Sequence, residues 1–243
     1  MKSILFTAFP RSVSSLIADR TWQGLCHQMR PLLASPYHSR ELLIPYVLGS
    51  AWQGSMERRT SKMRPYHNIL KNHGSGSIIK DVHQPYVVKD FLDKNPGAFN
   101  TVFIQRDLPD VIYAVAAQGW WWPMLTHDRN RELWIESEKQ RKQYGYLTDF
   151  HFAHSLPALV RSMIHTYRTV YRPTADYVLR YDEFTRDSNA LWNLTAQMGY
   201  SPKPFNYIND DFKRDTERVE ARRTTELWNV INGMVIQVRE SLK

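Results

Sequence analysis

The residues best suited to chemistry in this chain fall in four clusters: Arg11 with Ser12, Ser14 and Ser15; Lys80 with His83; Arg106 with Asp107; and Arg180 with Asp182 and Glu183. The first is the most informative. An apolar run ends at Phe9-Pro10, and Arg11-Ser12-Val13-Ser14-Ser15 opens a helix-compatible segment. A turn between a buried strand and a helix aims unpaired backbone N–H groups and the positive end of the helix dipole at one point, where an anion can sit. Arg11 adds a charge there, and Ser14 and Ser15 add hydroxyl donors. The plainer reading is an ordinary helix N-terminus capped by Ser12, since serine is a favoured capping residue.

The elements that must position these groups are four β-type runs: Ser3 to Phe9, Ser77 to Val82, Asn100 to Gln105 and Asp176 to Tyr181. Their apolar residues are continuous rather than alternating, as expected of strands covered on both faces. Longer helical or polar stretches separate them. The pattern predicts an α/β fold with a central parallel sheet flanked by helices, in which a ligand sits at the carboxyl ends of the strands. Each run ends at or beside polar or charged residues. After the third, Asp107 is placed to cap a helix, with Pro109 in its first turn and Asp110 where the dipole favours a carboxylate. Arg106 then points across the carboxyl edge towards the first loop, or else serves as the structural partner of a buried carboxylate.

With 42% hydrophobic residues over 243 positions, the chain can bury one sizeable core. A single domain spanning 1–243 is expected, with 119–175 a mainly helical acceptor-side or lid region. There is no run of about twenty apolar residues and no signal-peptide pattern, so a cytoplasmic protein without a membrane span is expected. Cys26 is the only cysteine. It reads as a small core or helix-face residue. The net charge of +8 suits a polyanion. Yet the basic residues are scattered, except at Lys213, Arg214, Arg218, Arg222 and Arg223, and no nucleic-acid-binding signature accompanies them. A multiply phosphorylated small molecule explains the same excess, as does a solvated basic face. His151 and His154 lack a third nearby ligand, so no metal is expected.

Taken in order, these segments resemble the sulfotransferase family that uses 3′-phosphoadenosine 5′-phosphosulfate (PAPS). Phe9 to Ser15 resembles the family's 5′-phosphosulfate loop. Ile78 to Pro85 resembles the strand carrying a Lys and a His before a Pro. Val102 to Ile112 is similar to the 3′-phosphate segment, and Val178 to Phe184 to a later Arg-Tyr-Glu-Asp-Leu-like element. The resemblance implies a P-loop NTPase-like sulfotransferase fold and sulfuryl transfer from PAPS to a hydroxyl or amine, with no metal. It implies donor binding by Arg11, Ser12, Val13, Ser14, Ser15 and Arg106. Catalysis would fall to Arg11 at the bridging oxygen, Lys80 at the transferring group and His83 as base, with Asp81 or Glu57 as alternative bases.

Three positions depart from the family pattern. Val13 stands where glycine is common, which restricts the loop if a positive φ is required. Ala114 replaces a serine that often joins the arginine at the 3′-phosphate. Lys80 and His83 are separated by two intervening residues rather than one. The acceptor is open among small molecules, carbohydrates and lipids; Trp120, Trp121 and Trp122 could stack on one or belong to a core, and 129–144 is placed to form a lid. Two alternatives stand beside this reading. One is a P-loop kinase-like nucleotide enzyme, against which the absent Gly-x4-Gly-Lys-Ser/Thr pattern argues; the other is a non-catalytic polyanion-binding protein.

Overall fold

The computed structural model describes residues 1–9, 12–29, 70–71, 75–81, 85–117, 156–208 and 210–241. The four expected strands form within a residue or two of the predicted bounds: β1 Ser3–Ala8, β2 Ile78–Asp81, β3 Phe99–Gln105 and β4 Tyr177–Arg180. They make one parallel sheet in the order β2-β1-β3-β4.

Pleat alternation sorts the strand residues onto two faces, and both are covered. On one face Ile4, Phe6, Ile78, Val102, Ile104 and Leu179 pack against α1 (Ser14–Leu25) and α6 (Asn189–Gln197), with Ile17, Leu25, Leu191 and Trp192 fully or almost fully buried. On the other, Leu5, Ile79 and Phe99 meet Val88 and Phe91 of α2 (Pro85–Lys94). Phe103 meets α3 (Leu108–Ala117), α4 (Leu156–Thr166) and, through Ile231 and Val235, α8 (Glu226–Glu240). This is why the runs read as continuously apolar. Other described helical segments include the single turn α5 (Tyr181–Phe184) and the charged α7 (Asp210–Arg223).

The strand order fixes where a ligand site can form. From β1 the chain moves outward to β2 by way of α1, then crosses back past β1 to β3 by way of α2, and goes on to β4. Connections of one hand that run in opposite directions must lie on opposite faces of the sheet, as α1 and α2 do. The loops leaving β1 and β3 therefore diverge, and the crevice between their carboxyl ends is the switch point of the fold.

Register aligns Ala8 with Ile104 across that point. Tyr171 secures it from beneath: its O–H donates to the Ala8 carbonyl at 2.9 Å, and its ring contacts Phe9 edge-on and stacks on Phe103. Tyr171 lies in a π-helical turn, Tyr167–Tyr171, that extends α4. Residues 156–174, the described part of the region expected to be acceptor-side or lid, are thus helical and contribute to the core. Residues 129–144 and Trp120 to Trp122 lie outside the described residues.

Of the two alternatives for Cys26, the core one is excluded and the helix-face one is closer. It is exposed at the C-cap of α1, where its thiol donates to the Gln23 carbonyl. Among the described residues no helix is long and apolar enough to cross a membrane.

Candidate functional site

The loop after β1 has an unusual backbone. Val13 is the N-cap of α1 with φ 61° and ψ 17°, the left-handed region, and it is the one described non-glycine residue with positive φ. A β-branched side chain is a true outlier there, at a cost of order 1–2 kcal/mol. The positive φ weighed at Val13 from the sequence is the one this turn adopts, a conformation that glycine takes without strain.

Ser12 does not cap the helix as the plainer reading holds, because the N-cap falls one residue later and has no side-chain capping bond. Ser12 is instead 1% exposed, and its Oγ has no hydrogen-bond partner among the described residues. Ile17 N–H reaches the Val13 carbonyl at 3.2 Å. The N–H groups of Ser14, Ser15 and Leu16 therefore precede the first intrahelical acceptor. A left-handed residue followed by right-handed ones turns successive N–H groups inward as an anion-binding concavity. Ser14, the first helical residue, is buried beside it. Arg11 and the side chain of Ser15 lie outside the description.

Across the switch point, Arg106 follows β3 and is buried. Its guanidinium lies over the Tyr181 ring, 4.3 Å from the centroid, and Nη2 is 3.6 Å from Asp215 Oδ2 on α7. The Tyr181 O–H donates to the same carboxylate oxygen. Burial first, and then that hydrogen bond, pushes the Tyr181 phenol well above its ordinary range, so it remains a donor at neutral pH. Of the two sequence readings of Arg106, the carboxylate partner is the one with a counterpart here, although Asp215 is part-exposed and not buried; the contacts of Arg106 described here are with Tyr181, after β4, and with α7.

α3 begins as expected. Asp107 occupies its N-cap position, with the carbonyl accepting from Val111 N–H at 3.1 Å, and Pro109 and Asp110 fall in the first turn. Asp110 is 2% exposed and saturated: it accepts from Arg223 Nε at 3.2 Å, Arg223 Nη2 at 2.6 Å and Trp228 Nε1 at 2.8 Å. Arg223 Nη2 also lies 3.4 Å from Asp107 Oδ2. The Asp110 hydrogen bonds hold the Arg223 proton more firmly than usual. Ala114, one turn further on, is buried without a hydroxyl to offer. The C-terminal basic cluster thus reaches the β3 edge through Arg223, clamped to α3.

Lys80 is 3% exposed in β2, paired in register with Phe6 of β1 and on the face that α1 covers. His83, Glu57 and the Asp81 side chain lie outside the description. Arg180 and Glu183 pair at 3.8 Å in solvent, 67% and 58% exposed, while Tyr181 between them is buried against Arg106. Asp215, Trp228 and Tyr171 are supporting groups that the sequence reading does not single out, and Arg223 is named there only as a member of a basic cluster.

Comparison with family models, curated proteins and solved structures finds no match to this chain. The functional reading therefore rests on its own residues and geometry.

Proposed function

We propose that the chain is a sulfotransferase that moves a sulfuryl group from PAPS to an acceptor hydroxyl or amine, within a P-loop NTPase-like fold. The observation that carries this reading is Ser12: a buried hydroxyl without a partner among the described residues, preceding a helix without a side-chain cap through a left-handed residue, at the switch point of a parallel sheet. A polar atom left unsatisfied inside a protein costs about 1–3 kcal/mol, which a bound phosphate oxygen would recover. The family resemblance of the four segments turns this anion site into a donor site of a particular kind.

In this scheme Ser12, Ser14 and the N–H groups at the start of α1 hold the 5′-phosphate, and Arg11 neutralises the bridging oxygen as its bond to sulfur breaks. Arg106 binds the 3′-phosphate. Lys80 stabilises charge on the transferring group, and His83, Asp81 or Glu57 takes the acceptor proton as the new bond to sulfur forms. The donor contributes the sulfuryl group and leaves as adenosine 3′,5′-bisphosphate.

The test is thermal stabilisation of the purified protein by adenosine 3′,5′-bisphosphate compared with AMP, ADP and ATP with Mg²⁺. A bisphosphate-selective shift that disappears in Ser12→Ala and Arg106→Ala supports the reading. A larger response to Mg-ATP, or no response to any nucleotide alongside salt-sensitive polyanion binding, replaces it with the kinase-like or the binding alternative.

A further inference from the structure

One ionic partner of Arg106, Asp215, is more exposed than the arginine itself. The Arg106 side chain is 2% exposed and that of Asp215 is 28% exposed. An anion arriving from solvent meets the carboxylate before the guanidinium. We propose that Asp215 is an internal competitor for the phosphate subsite at Arg106, closing the subsite in the ligand-free protein and withdrawing when a phosphate enters. The proposal rests on the reading of Arg106 given above.

Three features support it. First, the carboxylate matches a phosphate in charge and in its partners, since it faces a guanidinium and accepts from the Tyr181 hydroxyl, both of which serve a phosphate oxygen equally well. Second, the 3.6 Å separation exceeds hydrogen-bond length, so Asp215 is held to Arg106 by charge alone. Third, the same helix is fixed elsewhere. Arg223, two turns or ~12 Å further along α7, holds the buried Asp110 at 2.6 Å. Phe212 and Val219, on either side of Asp215, are buried in the core as well, so withdrawal is a change of the Asp215 side-chain rotamer, breaking its bond from Tyr181, and not a movement of the helix. A phosphate entering while Asp215 stayed would bring like charges together, which drives that withdrawal.

A subsite filled by an internal group lowers apparent affinity by the fraction of time it is open. Calorimetric titration of adenosine 3′,5′-bisphosphate and of adenosine 5′-phosphate into the full chain, Asp215→Asn and Asp215→Ser tests this, after thermal unfolding has established that each variant is folded. Both variants are expected to bind the bisphosphate about tenfold more tightly than the unaltered protein, with the 5′-phosphate unchanged. Bisphosphate binding to the unaltered protein that is equal or weaker in both variants overturns the competitor and makes Asp215 a positioning residue for Arg106, leaving the proposed function standing. Absence of bisphosphate binding in all three proteins overturns the phosphate reading of Arg106 and the competitor with it.

Discussion

Arg223 donates to Asp110 through both Nε and Nη2, and so joins the end of α7 to the first turn of α3 across a carboxylate that solvent barely reaches. Asp110 without its cation would be a buried charge relieved only by the helix dipole and the Trp228 N–H. Arg223→Ala is accordingly expected to lower unfolding stability by about 3 kcal/mol, measured by urea denaturation. A loss under 1 kcal/mol would mean that the pair is no better than a surface contact.

Val13 reverses the usual ranking of small residues. Truncation to alanine removes its packing against the core beside α1 and keeps the left-handed strain, whereas glycine removes both. Val13→Gly is therefore expected to be more stable than Val13→Ala by about 1 kcal/mol in denaturant melts. The opposite order would show that the loop relaxes to negative φ once the side chain is gone.

Asp107 is expected to respond to pH in the sense opposite to a stabilising ion pair. Its side chain is 65% exposed, yet partial desolvation raises its carboxyl pKa, the neighbouring Asp110 and Asp182 carboxylates raise it further, and Arg223 and Arg239 offset this only in part, so solvent screening keeps the effect small. An acid with a raised folded-state pKa favours the folded state when protonated, so its contribution is present below the unfolded value and is lost as pH rises through the folded one. Asp107→Asn should raise Tm at pH 7, and the gain should fade as pH drops towards 4. A gain that persists at pH 4 would assign the effect to something other than ionisation.

Gly24 sets helix propensity against packing. Alanine normally improves a helix interior by about 1 kcal/mol. Here a Cβ would stand 2.4 Å and 2.6 Å from ring carbons of Trp192. Trp192 is fixed by its own bond to the Phe205 carbonyl and by contacts with Phe205 and Tyr207, so it has little room to yield. Overpacking wins, and Gly24→Ala is expected to destabilise by about 1–3 kcal/mol in thermal melts, with α1 and α6 pushed apart.

The strands were legible because burial on both faces writes itself as continuous apolar runs, and the start of α3 because Asp107, Pro109 and Asp110 each suit one helix position. Strand order was not legible. Arg180 and Arg106 look alike in sequence, each closing an apolar run, yet β4 lies at the sheet edge and exposes its arginine while β3 lies inside and buries it. Asp215 and the partner of Arg223, itself legible as one of a basic cluster, were hidden for another reason. α7 carries charge nearly all round, and nothing local distinguishes the two residues that turn inward to partners more than a hundred positions earlier. Val13 was legible only as an anomaly whose backbone angle had to be seen.

The sheet topology also bears on how the chain reaches its fold. β1 lies inside the sheet, yet its partners arrive late: Ile4 pairs with Ile78 and Asn100, and β3 in turn awaits Tyr177. At roughly 5–20 residues per second of synthesis, the most apolar strand spends seconds without the neighbours that will cover it. Non-local parallel pairing is intrinsically slow as well. Recombinant yield should accordingly respond to anything that shields Ile4 to Phe6 during that interval, and lowered growth temperature or chaperone co-expression should matter more for this protein than for a helical bundle of equal size.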